Sequence, residues 1–304
     1  MTGGQHQLRH DDQVAVIDGL GAGLRRYAVG DWEVVDGYPA GTRPDGARGQ
    51  LLAPWPNRIR DGRYRWGDEE MQLEITEPPA HNAIHGLVRR LPFSLRAWDG
   101  ASIVLGIGLE PQPGYPFRLA LEVSYALTDT GLSVAITARN LGERPAPYAV
   151  GQHPYLQVGT EHVDDAVLTI PATRWLETDD RGIPVRERPV DGTALDFREP
   201  RPIGTQVLDT AYCGLHYGDS GIAVARLTRP DAFRVVDLWV AAPADYLQVF
   251  TGDTLPDRDR RRRSVAIEPM SAPANAFNSD PAGVALASGA SHELHWGISP
   301  SIRR

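Results

Sequence analysis

At 304 residues, with 41% hydrophobic and 23% charged residues, the chain has the composition of a folded globular protein and enough apolar mass for a sizeable core. A formal net charge of -8 repels phosphate backbones, and no uninterrupted apolar stretch approaches the roughly 18–20 residues needed to cross a bilayer, so neither nucleic acid nor a membrane is expected as a partner. All 31 basic residues are arginine and Cys213 is the single cysteine, which excludes lysine Schiff bases, phosphate-loop lysines, internal disulfides and multi-cysteine zinc sites.

The first dozen residues, MTGGQHQLRHDD, are polar; they predict a poorly ordered tail and carry no secretory signal, and a reducing cytoplasm is the expected compartment. QVAVI at 13–17 alternates as a strand. The glycine-rich VIDGLGAG at 16–23 lacks the dinucleotide-binding spacing and is followed by LRRYAVG, which alternates too, so it reads as a hairpin connection. In PWPNRIRDGRY at 54–64, Arg58 follows Asn57 in a proline-rich connection, either as a surface cation or as a set of directed donors for a hydroxylated ligand. His81 and His85 stand four apart, a metal-binding spacing on a helix, but two prolines precede them and Gly86 follows, so neither a helix nor a metal site is predicted.

Strands continue at 102–109 and 166–170, and residues 118–140 predict a hairpin reversing at Asp129-Thr130-Gly131. In YAVGQHPYL at 148–156, His153 ends an apolar segment just before Pro154, as a structural histidine or as a proton donor near neutrality. Further strands fall at 221–228, 233–240, 245–252 and 291–299. The arginine run DRDRRRRS at 257–264 predicts a solvated loop. Next, VAIEPMSAPANAF brings Glu268 to the end of an apolar run before Pro269; alternation puts it beside the small Ala266, at an expected strand end on an open face. The carboxylate is then either a charge entering a loop or a placed base. No amphipathic helix of ten residues interrupts the series. The expected fold is all-β: one large antiparallel β-sandwich domain over 1–304, with 1–12 as its tail.

The chemistry left open is proton transfer by His, Asp and Glu with arginine as an electrostatic partner. Read in order, PWPNRIRDGRY, NAIHG, NLGERPAPYAVGQHPYL, LDTAY at 208–212, LQVFTG at 247–252 and IEPMSAPANAF resemble the motifs of the aldose 1-epimerase (mutarotase) family from about residue 50 to 280. The resemblance implies a galactose mutarotase-like supersandwich that interconverts α and β anomers of a free monosaccharide, with no metal and no cofactor. Position by position it implies Glu268 as catalytic base and His153 as catalytic acid, with His85, Arg58 and Asp209 binding the sugar. Met270 and Pro273-Ala274 depart from the galactose-type pattern, and HPYL with EPMSAPANAF looks closer to a bacterial branch that includes sulfoquinovose mutarotase-like proteins. The alternatives are an epimerase of a charged sugar, a sulfosugar or sugar phosphate, and a non-catalytic sugar-binding protein of the same fold. No oligomeric state follows from the sequence.

Overall fold

The computed structural model describes residues 4–303. Two antiparallel sheets, one of nine strands and one of twelve, carry the architecture, and a continuous buried cluster running from Leu8 to Ile298 draws side chains from both. Among the described residues the α-helix amounts to Ala276–Ser279, and no helix is long and apolar enough to cross a membrane.

The nine-stranded sheet follows simple alternation. Its Leu119–Thr128 and Gly131–Asn140 strands pair without a register shift from Leu119↔Asn140 to Thr128↔Gly131. Leu119, Leu121, Val123, Tyr125 and Leu127 point inward and are buried. The reversal falls at Asp129-Thr130, as the turn chemistry predicts.

The twelve-stranded sheet is less regular. In order it holds Gln5–His10, Gln13–Asp18, Gly23–Val29, Trp32–Val35, Tyr155–Leu156, Val265–Met270, Tyr246–Phe250, Asp209–Leu215, Ala172–Thr178 and Pro184–Pro189, with Gly151–Gln152 and Leu51–Leu52 off the main path. The expected N-terminal tail is corrected here: Gln5–His10 is the edge strand, paired with Gln13–Asp18 over its whole length. An edge strand needs only one buried anchor on its sheet face, and Leu8, fully buried opposite Ala15, supplies it among polar neighbours. Residues 1–3 lie outside the described residues.

A second correction concerns Glu268. Its strand does not lapse at Pro269; it runs on to Met270, with Gln248↔Glu268, Leu247↔Pro269 and Tyr246↔Met270 in register. On the other side, the amides of Ile267 and Ser271 donate to Pro154 and Val150. The backbone of Pro269 faces that same side by alternation, where the neighbouring chain breaks between Gly151–Gln152 and Tyr155–Leu156. The missing amide of proline meets the gap through which His153 passes, so the sheet loses no bond there. The arginine run is corrected as well. Arg260 pairs with Asp36, and Arg262 with Asp164 and Asp253, so it pins loops together rather than lying free in solvent.

Candidate active site

On the Val265–Met270 strand, Val265 and Ile267 face the main core while Ala266, Glu268 and Met270 face the opposite side of the sheet. That side is apolar at both ends of the strand. Ala266 packs with Tyr155, Leu255 and Phe250, and Met270 with Leu176, Ala211, Cys213 and Tyr246. Between these two clusters a polar row crosses three strands: Asp209 begins one, Gln248 occupies the middle of the next, and Glu268 opposes Gln248. The Gln248 amide donates to Asp209 at 2.6 Å and accepts from Asn57 at 3.2 Å.

Glu268 is 1% exposed, so the open face expected beside Ala266 is closed. Its Oε1 lies 3.2 Å from Nε2 of His153, which is itself 4% exposed. Neither Glu268 Oε2 nor His153 Nδ1 has a partner among the described residues. The His153 ring stacks on Tyr155 with centroids 4.9 Å apart, and the guanidinium carbon of the fully buried Arg48 sits over that tyrosine ring, 4.0 Å from its centroid. His85 meets His153 edge-on at 5.6 Å, and its Nδ1 accepts the backbone amide of Asn57, which leaves the proton of the neutral ring on Nε2.

Asn57 and His85 both have positive φ, at 55° and 63°, a conformation that non-glycine residues hold where surrounding structure enforces it and that gathers at functional sites. The next residue, Gly86, has no alternative. A Cβ there would stand 2.0 Å from the Ala53 carbonyl oxygen, and φ is +68°.

Burial, reinforced by the charge of Asp209, pushes the Glu268 carboxyl well above the ordinary range, against the opposing pull of Arg58. Burial and then Arg48 push His153 down to about 3, and burial with Arg89 holds His85 well below the usual imidazole value. With the carboxyl raised and the imidazolium lowered, the pair rests as carboxylic acid with neutral imidazole, and its shared proton must pass to His153 before Glu268 can act as a base.

Arg58 opens the Arg58–Arg60 strand, which pairs with Asn82–Ile84. Its guanidinium is bidentate to Glu77 and stands 3.8 Å from Asp209. A cavity of about 240 Å³ lies against Asn57, Arg58, Asp209 and Gln248, walled on its far side by residues 178–182. That turn is fastened across the cavity: Arg181 donates to the carbonyls of Ala80 and His81, and Asn82 donates to Arg181. Gly182 lies so close to Arg58 that a Cβ would come within 2.6 Å of its Nη1.

Of the five residues singled out in the sequence, Arg58 and Asp209 line this cavity, while Glu268, His153 and His85 contact one another without lining it and are linked to Asp209 through Asn57 and Gln248; His81 turns away to an exposed contact with Asp61 at 2.9 Å. Sequence reasoning missed Gln248 as a bridge and Arg48 with Tyr155 as a support. Gln248 had a visible signal, a polar residue between Tyr246 and Phe250 on one strand face; Arg48 had none, since its contact is made across 107 residues.

Comparison with known proteins agrees with this architecture. The chain is 33% identical over 292 residues to the uncharacterized Escherichia coli protein YihR, covering 96% of this chain and 91% of that one. It is 26% identical to the galactose mutarotase of Homo sapiens over 68% of this chain and 63% of the relative. Among solved structures, the GalM/aldose epimerase homologue from C. elegans superimposes with a TM-score of 0.88 at 17% identity, over 99% of both chains. The galactose 1-epimerase from Lactobacillus acidophilus NCFM gives 0.84 at 19% identity over 99% and 95%. The aldose 1-epimerase family model matches residues 4–299, and the chain belongs to that family.

Proposed function

We propose that the chain is an aldose 1-epimerase that interconverts the anomers of a free monosaccharide, with Glu268 and His153 moving the protons. The observation that carries this reading is the approach of His153 Nε2 to Glu268 Oε1, 3.2 Å apart and shielded from water, beside a row of groups suited to hydroxyls. In the proposed cycle Glu268 takes the proton of the C1 hydroxyl. The C1–O5 bond breaks, C1=O1 forms, and O5 takes a proton from His153. Rotation about C1–C2 and attack of O5 on the other face of C1 return both protons and give the opposite anomer. Because O1 and O5 are bonded to the same carbon, an acid and a base this close together can serve both.

The pair holds one transferable proton whether it is written as carboxylic acid with imidazole or as carboxylate with imidazolium. The sugar therefore meets a site of constant charge. Asp209, Gln248 and Asn57 are assigned to the sugar hydroxyls, with Arg58 held by Glu77 as a fixed donor.

The cavity favours the uncharged face of a sugar. Asp179, Asp180 and Asp209 line it, and its two arginines are already paired, Arg58 with Glu77 and Arg181 with Asp61. Arg58 therefore makes a poor receptor for an anionic substituent, although a charged-sugar epimerase would have used it so. Anomer-exchange NMR on glucose and galactose tests the proposal. Glu268→Gln and His153→Asn should each abolish nearly all exchange in a folded protein. Exchange near the parent rate in either variant at saturating sugar would reject the assignment.

A further inference from the structure

A second cavity, of about 570 Å³, shares no lining residue with the 240 Å³ cleft. It is bounded by the edge strand at Gln5, the 40–44 loop, Gln50 and the short turn Val88–Arg90. Its charge is opposite in sign to that of the molecule: Arg43, Arg89 and Arg90 line it against the single carboxylate of Asp18. That carboxylate is occupied, accepting from the Leu20 amide at 3.1 Å and facing the Tyr38 hydroxyl at 3.4 Å.

Arg89 is the unusual member. It is half-buried, and its guanidinium meets only neutral acceptors, the Ile84 carbonyl at 3.1 Å and Gln50 Oε1 at 3.4 Å. Arg48, Arg58, Arg181 and Arg262, also withdrawn from solvent, each hold a carboxylate, whereas Arg25, like Arg89, meets only a neutral acceptor, the Tyr38 carbonyl at 3.1 Å. Burial and the neighbouring Arg90 bring Arg89 down to about 10, the cost of a cation without its counterion. A guanidinium offers five N–H donors in a planar fork, and only two contacts are made here. Unspent donors and a net positive lining in a recessed pocket favour holding an oxyanion.

We propose that this cavity binds a tetrahedral oxyanion, a phosphate, sulfate or sulfonate group, gripped by Arg89 with Arg43 and Arg90 at its rim. The site lies one layer from the chemistry. The Gln50 carbonyl accepts the His153 backbone amide at 3.1 Å, and the charge of Arg89 bears on both His153 and His85. The oxyanion is either a substituent of the sugar or a separate ion, and the two sources can be told apart.

Calorimetric titration of the full chain with sodium sulfate and with inorganic phosphate, at constant ionic strength in chloride, tests binding without reference to any catalytic activity. Saturable single-site binding is expected, weakened by at least about tenfold in Arg89→Gln through loss of a charge-assisted contact. Should that variant fail to fold, the doubly charge-reversed Arg43→Glu/Arg90→Glu, altered at exposed positions, should lose the binding instead. No saturable binding in the parent, or undiminished binding in the folded variants, overturns the proposal. Anomer exchange then names the source: glucose 6-phosphate turning over faster than glucose, with the advantage lost in Arg89→Gln, places the oxyanion on the sugar. Equal rates beside confirmed sulfate binding place it on a separate ion.

Discussion

The two sheets are built from similar residues, yet one is regular and the other is broken where the chemistry gathers. The Leu119–Thr128 and Gly131–Asn140 hairpin keeps its register for ten residue pairs, and its inward side chains are hydrophobes or tyrosine up to the buried Asn140 at its end. In the twelve-stranded sheet, the chain opposite Glu268 makes two residues of strand, leaves, and returns for two more, with His153 and Pro154 between. The difference separates two uses of a sheet. Unbroken pairing holds the core, whereas a gap lets a side chain from outside the ladder reach a carboxylate within it.

That contrast can be broken from either side. The largest effect is expected at the gap: Glu268→Gln should lower mutarotation by about 10²–10⁴-fold, the span that positioned proton transfer supplies. The same variant should not be destabilised. Folding raises the Glu268 pKa, so this group contributes stability at pH values below its unfolded pKa of about 4.5 and loses that contribution as pH rises through the folded value. The melting temperature of Glu268→Gln should therefore gain on the parent as pH climbs from about 4.5, and a gap that narrows instead would contradict the burial argument.

Next in size is the bridge. Gln248→Leu removes the link between Asp209 and Asn57 and should cost about ten- to hundredfold in kcat/KM, read by anomer exchange at low sugar. An effect under twofold would remove Gln248 from the sugar site. The regular sheet should respond in the opposite sense. Ile136→Ala, in the centre of the nine-stranded sheet, should cost roughly 2–5 kcal/mol in denaturant unfolding while leaving kcat/KM of the folded protein within about twofold. A large catalytic loss there would show that the sheets are not separable. The smallest change is expected with pH. Because His153 is held down to about 3 and Glu268 well above the carboxylate range, the pair keeps its one proton between those limits. The rate should therefore show no limb from His153 near 6.5, and an acidic limb centred there would mean that His153 is solvated.

Much of the regular half is legible in the sequence, because alternation with a period of two and a two-residue turn encode it locally. The residues of the site are legible by resemblance to the family, and by elimination of other chemistries only as a class of proton-transfer groups. What sequence could not supply is register. Nothing local says that Gln248 faces Glu268, that Pro269 lies over a break in its neighbour, or that Arg48 reaches Tyr155. The expected tail at 1–12 failed for a related reason: one leucine in six suffices to seat an edge strand, and composition averages it away.

The stack beneath His153 has a consequence for the proposed reaction, which must run in both directions. In many enzymes a carboxylate on the far ring nitrogen fixes the orientation of a histidine and, in the same stroke, decides which nitrogen carries the proton. Here Tyr155, braced by Arg48, fixes the plane of the ring through its face, and Nδ1 is left without a partner. Aim and proton preference are thereby separated. In the proposed reaction the ring's readiness to give up its proton is then set by burial and the nearby Arg48 charge rather than by a partner on Nδ1, while the stack supplies only its aim.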